Sequence, residues 1–566
     1  MPCTTILVGK KASYDGSTMI ARNDDSGAGH YTPKKFVVVQ PQDQPRHYRS
    51  VLSQVEIELP DNPMRYTAVP NAIEGKGTWA ASGVNAAGVA MTATETISSN
   101  ERVLGADPLV EYIPAEENGG IEVPGGIGEE DLVVLVLPYI HSAREGVQRM
   151  GALLEQYGTY EMNGMAFQDK DEIWWLETIG GHHWMARRVP DEVYVMMPNQ
   201  LGLDELDLED ALGEQEEFMC SADLKEFIEE NHLDLTLRLD CCCANADEEE
   251  NEEEDADANA FTEKARELRE AIDTVLEEEF PELRRRASEE AEEDDYEDDC
   301  EAGECCGCRN RLNPREAFGS HDDADHVYNT PRAWYIGRYF NPRTIRWDGP
   351  DADFTPLSDD IPWCLVPERK VTVEDVKYVL SSHYQGTPYD PYASYGDPSM
   401  RGAYRSIGVN RTDFVAIIQL RGGMPEDYQA VEWLAFGSNA FNTAVPFYAN
   451  VETTPEYLSN TTKEVTTENF YWSARLIEAL TDANYGKNLN HIEHYQLAVQ
   501  SKGHNLIGRY DRLQAAEKDP AARARLREKA NEEIAAMLRK ETGKTLDEVL
   551  FDATNHMKNQ YARSDH

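Results

Sequence analysis

The chain has 566 residues, 40% of them hydrophobic, enough for a sizeable core and, by length, for roughly two to four domain-sized units. It carries 105 acidic against 53 basic residues, a formal net charge of −52, which argues against binding nucleic acid or an anionic membrane through a broad basic surface. No apolar run of about 18 residues and no basic-then-apolar N-terminal stretch occurs, so neither a membrane span nor a secretory signal is expected. The expected compartment is the cytoplasm, with the 10 cysteines reduced and read one by one.

Taken in chain order, residues 3–9 (CTTILVG) and 17–22 (STMIAR) read as strands joined by a hairpin at Asp15-Gly16. FVVVQ at 36–40 continues the β character, and TWAASGVNAAGVAMTATE at 78–95 reads as a second hairpin turning at Asn85–Gly88. DLVVLVLPYI leads into the helical pattern SAREGVQRMGALLEQYG, after which MAFQDKDEIWWLETIGGHHWMARRV and YVMMPN alternate again. Strands, then helices, then strands predict an α+β layered domain with largely antiparallel sheets.

Composition changes abruptly between 241 and 308, a segment with 28 acidic against 6 basic residues. Its middle reads as one amphipathic helix broken near Pro281. Cys241, Cys242 and Cys243 open it, and Cys300, Cys305, Cys306 and Cys308 close it, so a structural zinc held by Cys241, Cys243, Cys305 and Cys308 competes with a mobile acidic insertion of inert thiols. The expected division is an α+β core over 3–240 and 309–450, the insertion 241–308, and a helical part over 451–566.

The opening stretch raises a chemical question, since Cys3 sits at the start of a strand and Arg22, Asn23, Asp24 and Asp25 at the end of its hairpin partner. A thiol at a mature N-terminus can use its own α-amine, of pKa near 8, as the base that activates it. Such a site needs a cation and a carboxylate to position the thiol and amine, and donors for the oxyanion. A hairpin returns Arg22 and Asp25 to the neighbourhood of Cys3. Met1 and Pro2 would have to be removed to free that amine, by attack of the Cys3 thiol on the preceding carbonyl.

CTTILVGK, DGSTMIARNDDS, GVNAAGVAMTATET and HVYNTPRAW together resemble the N-terminal-nucleophile cysteine dipeptidases of the dipeptidase A and secernin type. More distantly they are similar to choloylglycine hydrolases and penicillin V acylases. The resemblance implies a four-layer αββα fold, dipeptide hydrolysis, and neither a catalytic metal nor another cofactor. It also implies that Cys3 is the nucleophile, that Arg22 contacts the thiolate, that Asp25 binds the free α-amine, that Asn199 donates to the oxyanion, and that Arg332 is a second active-site arginine. Each has a plainer rival: a buried structural cysteine, a strand-end ion pair, a turn residue, a loop cap and a structural salt bridge.

Glu95 departs from the acylase pattern; a carboxylate there could pair with the ammonium of a dipeptide, and a solvated loop glutamate is the alternative. HDDADH, with His321 and His326, and the pair His182–His183 match no helical metal motif and read as structural or rim residues. The main alternative activity is a related amidase acting on acylated amino acids or other small linear amides; a non-catalytic scaffold using the acidic arm is a third reading. The partner is a dipeptide, with no nucleic acid and no membrane, and the choice between monomer and homo-oligomer is open.

Overall fold

The first hairpin forms as its sequence dictates. In the computed structural model, β1 (Cys3–Val8) and β2 (Thr18–Asp25) pair antiparallel across a turn in which Gly16 takes φ 79°. The structure describes residues 3–27, 29–73, 75–236, 311–320 and 322–557, and the side chains of 93–95 are outside that description. Met1, Pro2, the cysteine clusters at 241–243 and 300–308 with their zinc expectation, and His321 lie outside the described residues. The chain divides into two units, Met1–Leu235 with Leu312–His566, and Thr236–Arg311.

The second hairpin pairs β3 (Ser82–Val84) with β4 (Ala90–Thr96), its turn fastened by the Asn85 side chain, whose Oδ1 accepts from Ala87 and Val89, and by Gly88 at φ 78°. The alternating stretches that follow become β5 (Asn163–Gln168), β6 (Ile173–Thr178), β7 (Trp184–Arg188), β8 (Tyr194–Met197) and β9 (Phe218–Cys220). Farther on come β10 (Cys364–Leu365), β11 (Thr412–Leu420), β12 (Ala430–Phe436) and β13 (Val445–Tyr448).

Two sheets result, one in the order β10-β8-β1-β2-β11-β12-β13 and one in the order β9-β7-β6-β5-β4-β3. Neighbouring strands in both are antiparallel. The class is therefore α+β, as the pattern predicts.

Alternation assigns each face. Leu7, Ile20, Val195 and Ile418 of the first sheet meet Ala166, Trp175, Met185 and Phe218 of the second in one apolar layer. The other face of the second sheet, with Met165, Phe167, Trp174 and Leu176, is covered by α1 (Ala143–Tyr157) through Val147, Met150 and Leu154. The other face of the first sheet, with Ile6, Val8, Met19 and Ala21, is covered by α2 (Thr330–Phe340) and α3 (Val373–Leu380). Three C-terminal helices, α4 (Phe470–Asp482), α5 (Tyr485–Ala516) and α6 (Pro520–Asn555), complete that layer. The helix formers of the last hundred residues thus belong to the same unit as the sheets.

Candidate active site

Register decides which side chains meet. Cys3 lies opposite Asp24 and Thr5 opposite Arg22, and Cys3, Arg22 and Asp24 share the strand face that carries Leu7 and Ile20 into the layer between the sheets. Arg22 Nη2 donates to Cys3 Sγ at 2.8 Å and pairs with Asp24 Oδ1 at 3.0 Å and Glu129 Oε1 at 3.2 Å. Lys34 Nζ pairs with the second oxygen of Asp24 at 2.8 Å and donates to Trp79 O. Cys3, Arg22, Asp24, Lys34 and Glu129 are all buried. Burial alone would raise the Asp24 carboxyl, but Lys34 and Arg22 outweigh it and hold the group below its ordinary range.

The cation shared by thiol and carboxylates favours thiolate, which is the reactive form of cysteine. On the backbone side, Cys3 N donates to Asn199 Oδ1 at 3.1 Å, just beyond the end of β8. Arg332, in the first turn of α2, donates to Asn199 Oδ1 at 2.7 Å, to Thr4 Oγ1 at 2.7 Å and to Cys3 O. A thiol held by a guanidinium, with its own main-chain nitrogen and carbonyl both fixed by side chains, has its position set from three directions.

The profile of peptidase family C69 matches residues 2–272 and 281–498. The chain belongs to peptidase family C69. Its relatives include a dipeptidase of Bifidobacterium longum (strain NCC 2705), 50% identical with 100% of both chains aligned. A probable dipeptidase A of Streptococcus pyogenes serotype M3 is 46% identical, again over 100% of both chains. Dipeptidase A of Lactobacillus helveticus is 42% identical over 85% of this chain and 82% of that one.

C69 is a family of cysteine peptidases, and two further cysteines are described beside Cys3: Cys220 and Cys364 are free thiols, and burial pushes them up to about 12 and about 11. Neither has the setting of a C69 nucleophile. Of the residues singled out from the sequence, Cys3, Arg22, Asn199 and Arg332 come together. Asn199 presents its oxygen to Cys3 N and Arg332, while its Nδ2 donates to Thr96 O at 3.0 Å. Arg332 holds Asn199 and the Cys3 backbone, and Asn329 Oδ1 accepts from it in turn at 2.6 Å.

Asp25 stands on the opposite face of β2 from the thiol, where Arg405 donates to Oδ2 and Thr412 to Oδ1. Glu95 lies in β4 opposite Gly164, and its side chain is among those not described. His326 pairs with Asp359 at 3.0 Å, and both His182 and His183 pair with Asp107, at 3.1 and 2.7 Å. Those histidines are structural contacts.

Asp24, Lys34 and Glu129 are the members of this C69 site that the sequence reading passed over. The signal for Glu129 was present: G-I-G-E-E-D at 126–131 runs straight into LVVLV, and an acidic triplet beside so apolar a stretch has to be accommodated inside the protein. Cys3, Asp24 and Glu129 each offer a ligand atom within 4.8 Å of one another, the one such group among the described residues. Arg22 Nη2 contacts all three and already supplies the positive charge there, so the donor set fits a guanidinium better than a metal ion.

Proposed function

We propose that this C69 peptidase is a dipeptidase that uses Cys3 as an N-terminal nucleophile once the residues before it, here Met1 and Pro2, are removed. The observation that carries the reading is the buried contact between Arg22 Nη2 and Cys3 Sγ at 2.8 Å, on the very residue whose main-chain nitrogen would become the free amine. The relatives named dipeptidases support the substrate class. Two antiparallel sheets packed face to face, with helices on both outer faces, support the four-layer αββα N-terminal-nucleophile fold.

In this reading the freed α-amine takes the thiol proton as the sulfur attacks the scissile carbonyl carbon. The ammonium returns that proton to the departing amino group, leaving a thioester that water hydrolyses with the same amine as base. Arg22 stabilises the thiolate. Asn199, whose oxygen meets the Cys3 nitrogen, orients the amine, and Arg332 positions both. Asp24, opposite Cys3 in the register, is turned to Arg22 and Lys34 on the thiol's face, and Asp25 to Arg405 and Thr412 on the other.

The test is hydrolysis of a dipeptide panel by wild type, Cys3→Ala and Cys3→Ser. Wild type should cleave dipeptides, Cys3→Ala should be inactive with an unchanged melting temperature, and Cys3→Ser should retain at most weak turnover. Full activity in Cys3→Ala would end the reading.

A further inference from the structure

From the position of Glu129 we infer that its carboxylate is the group that binds the protonated α-amine of the dipeptide, and so restricts this enzyme to substrates with an unblocked N-terminus. The inference rests on the dipeptidase reading and deepens it. No feature of the sequence assigned this role to Glu129.

The argument is one of lengths. In a dipeptide the α-nitrogen is bonded to the same Cα as the scissile carbonyl carbon, which places it about 2.5 Å from that carbon. A carbonyl poised for attack lies about 3–3.5 Å from the sulfur. The ammonium must therefore sit within about 6 Å of Cys3 Sγ, whatever the side chains of the substrate. A carboxylate oxygen of Glu129 lies within 4.8 Å of that sulfur. It lies inside the volume open to the ammonium, so that part of that volume is within a charge-assisted hydrogen bond, about 2.8 Å, of the carboxylate.

Asp24 lies within the same distance but faces two cations, Arg22 at 3.0 Å and Lys34 at 2.8 Å. Charge is graded across the site. Lys34 stands at the Asp24 end, and at the Glu129 end the backbone N of Glu129 donates to a further carboxylate, Glu161, at 2.8 Å. Burial and the neighbouring Glu129 raise the Glu161 carboxyl to about 7, as expected where negative charge is crowded and a positive group would be welcome. Glu130 and Asp131 of the same loop are turned to other partners, Glu130 to Ser50 and Tyr160 and Asp131 to Tyr48. Glu129 alone of the three meets Arg22. A carboxylate can accept from the guanidinium and from an ammonium together, so Arg22 and the substrate amine are compatible partners.

The experiment compares Ala-Ala with propionyl-alanine, which has the same scissile amide and outline but lacks the amine. Wild type should favour Ala-Ala by about 100-fold or more in kcat/KM, the scale set by losing a hydrogen bond to a charged group in a site built for it. Glu129→Gln, with its mature N-terminus checked by mass, should bring that ratio below about 10, because the loss falls on Ala-Ala, through a higher KM, far more than on propionyl-alanine. An unchanged ratio in Glu129→Gln would overturn the inference, and so would a wild type that does not discriminate. Should Glu129→Gln not fold, Glu129→Asp carries the same arm: retracting the carboxylate by one methylene should lower the ratio, and an unchanged ratio overturns the inference. Failure of the dipeptidase reading looks different, because wild type would then cleave no dipeptide at all.

Discussion

The two faces of the single strand Thr18–Asp25 divide the work of this site. On one face Arg22 and Asp24 join Cys3, Lys34 and Glu129 in a buried set of opposed charges. On the other, Asn23 donates to Leu380 O at 2.8 Å and Ile407 O at 3.2 Å, and Asp25 takes Arg405 and Thr412. Four consecutive residues thus alternate between chemistry at the thiol and anchorage to α3 and the chain before β11. The difference teaches that a strand end can hold a nucleophile's cation rigidly only because its alternate side chains are tied down behind it.

The largest effect should come from the thiol face. Arg22→Gln removes the cation shared by Cys3, Asp24 and Glu129, and kcat/KM should fall by at least about 100-fold. The pH at which iodoacetamide alkylates Cys3 should rise as well, since the thiolate loses its partner. An unshifted alkylation profile would break the contrast between the faces.

Asp25→Asn should act first on stability, because it leaves the buried Arg405 guanidinium without its carboxylate, a loss of about 3–5 kcal/mol visible in chemical denaturation. Its alkylation profile at Cys3 should stay near wild type, whereas Asp24→Asn should shift it. Asn23→Ala should cost about 1–3 kcal/mol by removing its two buried donor contacts and the oxygen that accepts from Asn439 at 3.1 Å, again with little change at the thiol.

The smallest test sits behind the anchoring face, where Lys377 of α3 lines a cavity of about 280 Å³ and burial draws its amine down to about 7. A lowered pKa means the folded state holds this proton less tightly than the unfolded chain does. The resulting penalty is full below about pH 7 and fades as pH rises toward the ordinary lysine value. Lys377→Met should therefore raise the melting temperature, most at pH 6 and least near pH 10. A gain that does not shrink with pH would mean that packing, not the buried amine, sets it.

Much of this was legible in the sequence for a simple reason: period-2 alternation and an Asp-Gly turn are local signals, and they suffice to bring Arg22 back to Cys3. Local signals do not fix register. Whether Asp24 or Asp25 shares the thiol's face depends on a one-residue slip, and the pairing of Cys3 with Asp24 settles it only in the folded sheet. Lys34 and Glu129 arrive from loops, where no periodicity points, and β1 and β2 sit mid-sheet between β8 and β11, partners distant in sequence. Asn199 and Arg332 were found because short motifs carried them; their use in holding each other and the Cys3 backbone depends on side-chain geometry.

The central claim is that the reacting group is the Cys3 thiol beside its own free amine. Intact-mass measurement of active enzyme, taken through a partial titration with iodoacetamide and followed by peptide mapping, tests it most directly. The account predicts a chain that begins at Cys3 and activity that falls in proportion to the fraction alkylated at that residue. Undiminished dipeptide hydrolysis by a chain that still carries Pro2, or by one fully alkylated at Cys3, would contradict it.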